Sequence, residues 1–285
     1  MRKKKLFLII GMAIVAVFIA VLGVGIKFLQ HEQEQSSQIA HLLEENEYRK
    51  LQADALNAQI AELREEIEVM KTANKVTYED DAFNYFAMGN SITQHPVSDY
   101  WWSESGMAAS SVEKDYVHLV SAYLEERYGK CMSYAYCYLP WEVQGYDRAE
   151  TYSLIEPYLS EKLDLVTIQM GENIVDYATF ESDFEALIKY VEKMCPNAQI
   201  IVIDDFWQAE NNRAEIKRAV AEKCGVAFAD LSEIRGNEAY ECGFGTVIYD
   251  EEGNEHIVEH SGVAIHPGDK AMKYIADAVI AQLQE

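Results

Sequence analysis

Positively charged residues are scarce in this sequence of 285 residues, where 24 lysines and arginines stand against 48 aspartates and glutamates. A surface with that balance repels phosphate backbones. The shortage of cations therefore excludes nucleic acid as an expected partner. The excess of acidic residues is most simply a contribution to solubility.

Cysteine is also rare, and its odd number means that the thiols cannot all pair. The five are Cys131, Cys137, Cys195, Cys224 and Cys242. Cys131 and Cys137 lie on a predicted strand, which would separate them by about 20 Å, far beyond the reach of a disulfide. We expect all five thiols to be unpaired and mostly buried.

The sequence has no tight pair of histidines on one helix and no cysteine partner for a metal ion. His256, His260 and His266 alternate with Glu255 and Glu259 near the C-terminus. The pattern there favours a hairpin loop over a metal cluster. The sequence therefore implies neither a metal nor another cofactor.

One long uncharged run, Leu6 to Ile26, follows Arg2-Lys3-Lys4-Lys5. Its length matches the ~20 residues that cross a bilayer as a helix. The basic tip keeps the N-terminus in the cytoplasm, so the rest of the chain is exported. A cleaved signal peptide, with Gly23-Val24-Gly25 as its cleavage site, is the alternative. The run exceeds the roughly 7 to 15 residues of such a segment, which favours an uncleaved anchor over residues 1–29.

Residues 30–76 contain neither proline nor glycine and predict a helical stalk with a linker. A heptad pattern places Ile39, Asn46, Ala53, Ile60 and Ile67 at a, and Leu42, Arg49, Leu56, Leu63 and Met70 at d. Arg49 puts a charge in this stripe, and Asn46 is the kind of residue that fixes register and oligomer state. The pattern predicts a short coiled coil that makes a homo-oligomer, with a single solvated helix as the alternative. A helix of this length would hold the next domain roughly 65 Å from the membrane.

Strand and helix patterns alternate through residues 77–285. The predicted strands are Ala82–Met88, Met132–Leu139, Leu163–Met170, Gln199–Asp204 and Val226–Leu231. The predicted helices are Val112–Tyr128, Ala149–Leu159, Phe180–Met194 and Ala209–Cys224. This alternation predicts an α/β fold of three layers, a parallel sheet with helices on both faces.

The pattern changes after the fifth strand. Gly245–Tyr249 and His256–Glu259 flank Asp250-Glu251-Glu252-Gly253-Asn254, which predicts a hairpin. A last helix, Lys270–Leu283, follows with Asp269 as its N-cap.

Three short motifs fall where catalytic groups could meet. Gly89-Asn90-Ser91 leaves the first strand, Gly171-Glu172-Asn173 leaves the third, and His266 precedes the last helix. Ligands of parallel sheets bind at the carboxyl ends of the strands. A histidine can take the proton of a serine nucleophile, and an asparagine amide can stabilise an oxyanion. The motifs therefore indicate Ser91 as nucleophile, His266 as base and Asn173 as oxyanion donor.

The order and context of these motifs resemble the SGNH hydrolase family, also called GDSL esterases and lipases. Gly89-Asn90-Ser91 is similar to its Gly-Asp-Ser motif, Gly171-Glu172-Asn173 to its Gly-x-Asn motif, and His266-Pro267 to its histidine motif. The resemblance covers Phe83 to Glu285 and implies a flavodoxin-like sheet. It also implies an oxyanion hole made by the N–H groups of Ser91 and Gly145 and the side chain of Asn173.

One position departs from that family. Its usual aspartate, three residues before the histidine, is Val263 here. A hydrophobic side chain cannot orient an imidazole. We therefore expect a backbone carbonyl or another carboxylate to hold His266, or a Ser-His dyad to operate alone.

Asn90, Trp101 and Trp102 are the candidate substrate-binding residues. The two tryptophans could stack on a sugar or cover an acyl pocket, with a core or lid role as the alternative. We place His95 at the rim of the pocket and Trp207 beside the same cleft, and we assign Glu172 a structural role.

The resemblance implies an exported serine esterase that acts on a small ester, in particular an O-acetylated carbohydrate. An acetyltransferase with the same site, acting on an envelope polysaccharide, is one alternative. A catalytically silent, glycan-binding domain on a tether is another.

Overall fold

The computed structural model describes residues 76–209 and 211–284, together with parts of the stretch between 35 and 57. The chain divides into two compact units, Met1–Ala73 and Asn74–Glu285. The predicted membrane anchor, residues 1–29, lies outside the described residues. Within the part that is described, none of the helices has both the length and the apolar character needed to span a bilayer.

In the first unit, the described residues between 35 and 57 are helical, as expected for the stalk. Ile39, Leu42 and Leu56, which occupy predicted a and d positions, are all more than half exposed. Arg49 pairs with Glu45 one turn earlier, at 2.7 Å. The oligomeric coiled coil stays a prediction.

The second unit is built on a parallel sheet of five strands, as predicted. The strands are β1 (Phe83–Gly89), β2 (Cys131–Cys137), β3 (Leu165–Gln169), β4 (Gln199–Ile203) and β5 (Ala227–Ala229). Their order is β2-β1-β3-β4-β5, and every neighbouring pair is parallel. β1 is an interior strand between β2 and β3, and its last six residues are buried. The turn that follows β1 therefore opens at the carboxyl edge of the sheet, between the ends of β2 and β3.

Helices cover both faces of this sheet. The α-helices of this unit are α1 (Tyr116–Tyr128), α2 (Leu139–Val143), α3 (Phe180–Met194), α4 (Arg213–Cys224), α5 (Ser261–Ala264) and α6 (Asp269–Ile280). Alternate residues of β1 enter the two cores: Phe86 packs with α3 and α4, whereas Tyr85 packs with α1 and α6. This is the period-2 alternation expected of a strand with two covered faces. The three-layer α/β prediction is confirmed.

Several predicted boundaries were wrong for local reasons. The predicted helix Ala149–Leu159 is two 3₁₀ segments, Arg148–Leu154 and Glu156–Tyr158, because Pro157 has no N–H with which to continue a helix. Two more 3₁₀ segments are Val112–Lys114 and Glu238–Tyr240. α4 begins at Arg213 rather than Ala209. The short helices α2 and α5 were not predicted.

The C-terminal region contains the predicted hairpin. β6 (Val247–Tyr249) pairs antiparallel with β7 (Glu255–Ile257), and Asp250 accepts hydrogen bonds from the Glu252 and Asn254 N–H groups in the turn. Asp269 is the first residue of α6, and Gly268 is its N-cap, so the predicted capping role of Asp269 was wrong.

Candidate active site

Ser91 lies on the turn that leaves β1, at the carboxyl edge of the sheet. The Thr93 and Gln94 N–H groups both bond to the Asn90 carbonyl, which folds the chain back immediately after the strand. This turn brings Ser91 Oγ within 2.7 Å of Nε2 of His266, from the segment between α5 and α6. The predicted nucleophile and base are therefore in direct hydrogen-bond contact.

The other imidazole nitrogen, Nδ1, lies 2.5 Å from the main-chain oxygen of Gly262. That carbonyl is free because the His266 N–H bonds instead to the Val263 carbonyl, tightening the end of the short helix α5. A carbonyl only accepts hydrogen bonds, so Nδ1 carries the proton and Nε2 presents its lone pair to Ser91. The sequence left open whether a backbone carbonyl or a carboxylate orients His266. In the structure the orienting group is the backbone carbonyl of Gly262.

Gly262 is suited to this position by its small size. A Cβ atom there would lie 2.9 Å from Cε1 of His260, closer than packed atoms approach. Val263 is fully buried in a small core with Trp101 and Val258. The residue at the family's usual acid position thus stabilises the loop that presents the Gly262 carbonyl.

His266 is partly buried at the wall of the cavity, and the loss of solvent around it lowers its pKa to about 4. The hydrogen bond to Gly262 opposes this shift, while His95 adds a smaller lowering of the pKa. Trp207 packs edge-on against the imidazole, with ring centroids 4.8 Å apart, and its Nε1 donates to the Ile265 carbonyl. His266 is therefore held neutral in the pH range where a general base must be neutral.

Asn173 borders the same cavity as Ser91 and His266. It follows β3 after Gly171, whose φ of +119° is a backbone conformation that favours glycine. Gly145 does not border this cavity: it is exposed on the segment after α2, and Leu139 forms that part of the wall. The oxyanion role that the resemblance implies for Gly145 is therefore not supported by its position, because Gly145 is exposed and is not among the residues that line the cavity with Ser91.

Two carboxylates, Glu142 and Glu172, form hydrogen bonds with the motifs that carry Ser91 and Asn173. Glu142, on α2, accepts hydrogen bonds from the Gly171 N–H and from Asn173 Nδ2. Glu172 accepts from Gln169 Nε2 and from the main-chain N–H groups of Phe206 and Trp207, in keeping with its predicted structural role. Glu142 was missed because neither its helix nor its long-range partners have a signal in the sequence.

Asn90 joins these two carboxylates and does not reach substrate. It is 0% exposed, and its Nδ2 lies 3.0 Å from Glu172 and 3.4 Å from Glu142. Its Oδ1 accepts from the Ile92 N–H at 3.0 Å. The predicted substrate-binding role of Asn90 is thus replaced by a structural one, because all of its polar atoms are used inside the protein.

The tryptophan pair also differs from the prediction. Trp101 is fully buried, and Trp102 stacks on His256 at 4.5 Å, outside the residues that line the catalytic cavity. The aromatic residue at the cavity is Tyr100, which stacks on His260 with ring centroids 4.3 Å apart. His95 lies at the rim as predicted, and its Nδ1 is 2.7 Å from the Pro96 carbonyl.

The cavity has a volume of about 340 Å³ and is lined by both polar and apolar side chains. Its wall includes Pro96, Met107, Cys137 and Leu139 beside Ser91 and His266.

All five cysteines are free thiols, of which Cys195 is buried and the others are partly buried. Among the described residues, no group of three or more histidine, cysteine or acidic side chains is arranged to hold a metal ion.

No protein-family model matches the sequence, and no curated protein is similar enough to count as a relative. The chain is similar in structure to a phospholipase A1 from Streptomyces albidoflavus, with 13% identity, 71% of this chain and 100% of that chain covered, and a TM-score of 0.45. A putative GDSL-like lipase from Parabacteroides merdae has 15% identity, coverages of 73% and 98%, and a TM-score of 0.45. An acetyl xylan esterase from Geobacillus stearothermophilus has 15% identity, coverages of 71% and 96%, and a TM-score of 0.45.

Proposed function

We propose that this protein is a serine esterase that removes small acyl groups from carbohydrate outside the cytoplasm. The observation that carries the proposal is the 2.7 Å contact between Ser91 Oγ and Nε2 of a neutral His266 whose other nitrogen is held by the Gly262 carbonyl. A serine paired with an oriented imidazole base is the arrangement required for nucleophilic attack on an ester.

In the first half of the reaction, Ser91 Oγ attacks the ester carbonyl carbon while His266 Nε2 takes the hydroxyl proton. The imidazolium then gives that proton to the leaving alkoxide, which departs as an alcohol and leaves an acyl-serine. In the second half, His266 takes a proton from water, the hydroxide oxygen attacks the acyl carbon, and the proton returns to Ser91 as the carboxylic acid is released.

The oxyanion of each tetrahedral intermediate is stabilised by the Asn173 amide and the Ser91 N–H. The Asn173 side chain is exposed to the cavity, and one of its two amide hydrogens is used by Glu142. The second hydrogen is left for substrate. A fixed donor of this kind stabilises the transition state more than the ground state, which is how it raises the rate.

The size and lining of the cavity support a short acyl group. A volume of about 340 Å³ is near the lower end of ligand sites and includes the space beside the catalytic pair. Tyr100 and His260, stacked at the rim, form an aromatic surface of the kind that packs against a sugar ring. The proposed substrate is accordingly an O-acetylated saccharide.

The location rests on the sequence. The uncharged run Leu6 to Ile26 after four basic residues supports a membrane anchor with an exported catalytic domain. An enzyme held on a stalk in that position would meet polysaccharides of the cell envelope.

The test uses the full-length protein with p-nitrophenyl acetate, butyrate and octanoate, and with acetylated oligosaccharides. We expect acetate release that falls with acyl length and is abolished by Ser91→Ala. Ser98→Ala is the matched control, since Ser98 Oγ is buried without a partner and does not line the cavity. Hydrolysis that survives Ser91→Ala would overturn the proposal. Acetate appearing on an added sugar acceptor instead of in solution would identify a transferase.

A further inference from the structure

Glu142 is a buried carboxylate with an unusual set of partners. It is 1% exposed, and one of its oxygens, Oε2, lies 2.6 Å from Asn173 Nδ2. The other, Oε1, accepts the Gly171 N–H and lies 3.4 Å from Asn90 Nδ2. A single side chain is thus connected to both of the turns that carry Ser91 and Asn173.

Such a group costs free energy to bury. Burial raises the pKa of Glu142, while the hydrogen bonds from Asn173 and Gly171 lower it. In the described part of the chain no lysine or arginine forms an ion pair with it, unlike Asp205, which pairs with Arg213 and Lys217. A buried carboxylate without a cation is expensive, and such groups are concentrated at functional sites.

The contact between Glu142 and Asn173 determines which end of the Asn173 carboxamide faces Glu142. The two ends of an asparagine carboxamide have similar shapes but opposite hydrogen-bonding character. A carboxylate can only accept, so it attracts the NH₂ end of Asn173 and repels the oxygen end. Without Glu142, a half-turn about the last side-chain bond would turn the carbonyl oxygen toward the place where the oxyanion forms.

We infer that Glu142 is a positioning residue for the oxyanion hole: it sets the orientation of the Asn173 amide and anchors the Gly171 turn beneath it. The inference rests on the proposed esterase function. It adds a specific residue on α2 to the machinery, acting through Asn173 and not by contact with substrate.

The test is a double-mutant cycle in the full-length protein with p-nitrophenyl acetate. We expect E142Q to lower kcat by roughly tenfold or more while KM changes little, because the amide acts on the transition state. In an Asn173→Ala background the same substitution should lower kcat by no more than about twofold, because the group it positions is gone.

Asp204→Asn is the matched control. Asp204 is a fully buried carboxylate that accepts the Asp205 and Leu231 N–H groups, pairs with Arg235 and has no contact with Asn173. Any loss it causes should be the same in both backgrounds. If E142Q also costs the same with and without Asn173, Glu142 is only structural and the inference is overturned.

A second measurement does not depend on catalysis. The side-chain amide of Asn173, labelled with isotopic asparagine and identified by its disappearance in Asn173→Ala, should exchange its protons slowly in the wild type and faster in E142Q. Unchanged exchange in E142Q would overturn the positioning role. Failure of the wild type to hydrolyse any ester in a Ser91-dependent way would instead reject the proposed function, and the exchange experiment would still decide whether Glu142 holds Asn173.

Discussion

Nδ1 of His266 lies 2.5 Å from the carbonyl oxygen of Gly262, four residues earlier in the chain. A main-chain carbonyl can fix the imidazole tautomer, but it has only a partial negative charge with which to stabilise an imidazolium. In a catalytic triad an aspartate both fixes the tautomer of the histidine and stabilises the imidazolium. The Gly262 carbonyl can do the first of these fully and the second only weakly. This difference has consequences for mutants and for the dependence on pH.

The nearby acidic residues should be dispensable for catalysis. The Asp269 carboxylate is used by the Ser110 N–H and hydroxyl groups and by Lys114, and Glu259 is exposed. We expect Asp269→Asn and Glu259→Gln to keep kcat/KM within a few-fold of the wild type. A loss of several orders of magnitude in either folded variant would identify that carboxylate as the orienting group.

The activity should persist at acid pH. The base must be neutral, so the rate falls as the pH drops through the pKa of His266 in the free enzyme. Because burial lowers that pKa to about 4, the acid limb of kcat/KM should lie well below the ~6.5 of a free histidine. A limb above ~6.5 would require an anionic partner that raises the pKa. The profile should be measured with p-nitrophenyl acetate at constant ionic strength.

The three catalytic groups should differ in the size of their effects. Ser91→Ala and His266→Ala remove the nucleophile and the base and should abolish turnover. Asn173→Ala removes one oxyanion donor and should lower kcat by about 10² to 10³-fold. Single-turnover and steady-state rates measure these losses, and an Asn173→Ala enzyme with wild-type kcat would exclude Asn173 from the oxyanion hole.

Asn90→Asp, which would restore the acid typical of the GDSL motif, should harm this protein. The introduced carboxyl would face Glu142 and Glu172 in a buried site, and the folded state would raise its pKa. Ionisation would then cost stability, so the loss should be present at neutral pH and shrink as the pH falls and the group becomes protonated. Thermal unfolding of mutant and wild type at several pH values measures this, and a loss independent of pH would contradict it.

The membrane topology can be tested on intact cells. In the proposed topology, protease added outside should remove the C-terminal domain and leave residues 1–29, because basic residues before an apolar run favour a cytoplasmic N-terminus. A tag at the N-terminus should stay protected until the membrane is permeabilised. Full protection of the whole chain would show that the domain is not exported.

The sequence predicted those parts of the fold that follow a regular pattern. The five parallel strands and α3, whose bounds Phe180–Met194 were predicted without error, have the apolar periods that determine which face is buried. α2 and α5 have only 5 and 4 residues, too few to show a helical period.

The contact between Ser91 and His266 was predictable from motifs, whereas the groups that surround the pair were not. Glu142 contacts Asn173 from 31 positions away, and the Gly262 carbonyl belongs to the backbone, which leaves no trace in side-chain identity. Asn90 and Trp101 were assigned to the substrate because of their proximity in sequence to Ser91. In the structure both point inward, where burial and hydrogen bonding determine their place.

Ser91 and His266 are separated by 175 positions, one on the turn after the first strand and the other just before the last helix. A chain that emerges from the ribosome or across a membrane cannot join them until almost all of the domain is available, because the closing of such a long loop comes late in folding. Partly synthesised or partly translocated chains therefore contain an unpaired serine with ordinary reactivity. The proposed esterase activity would thus also be a measure of completed folding, because its two reacting groups meet only when the domain has assembled.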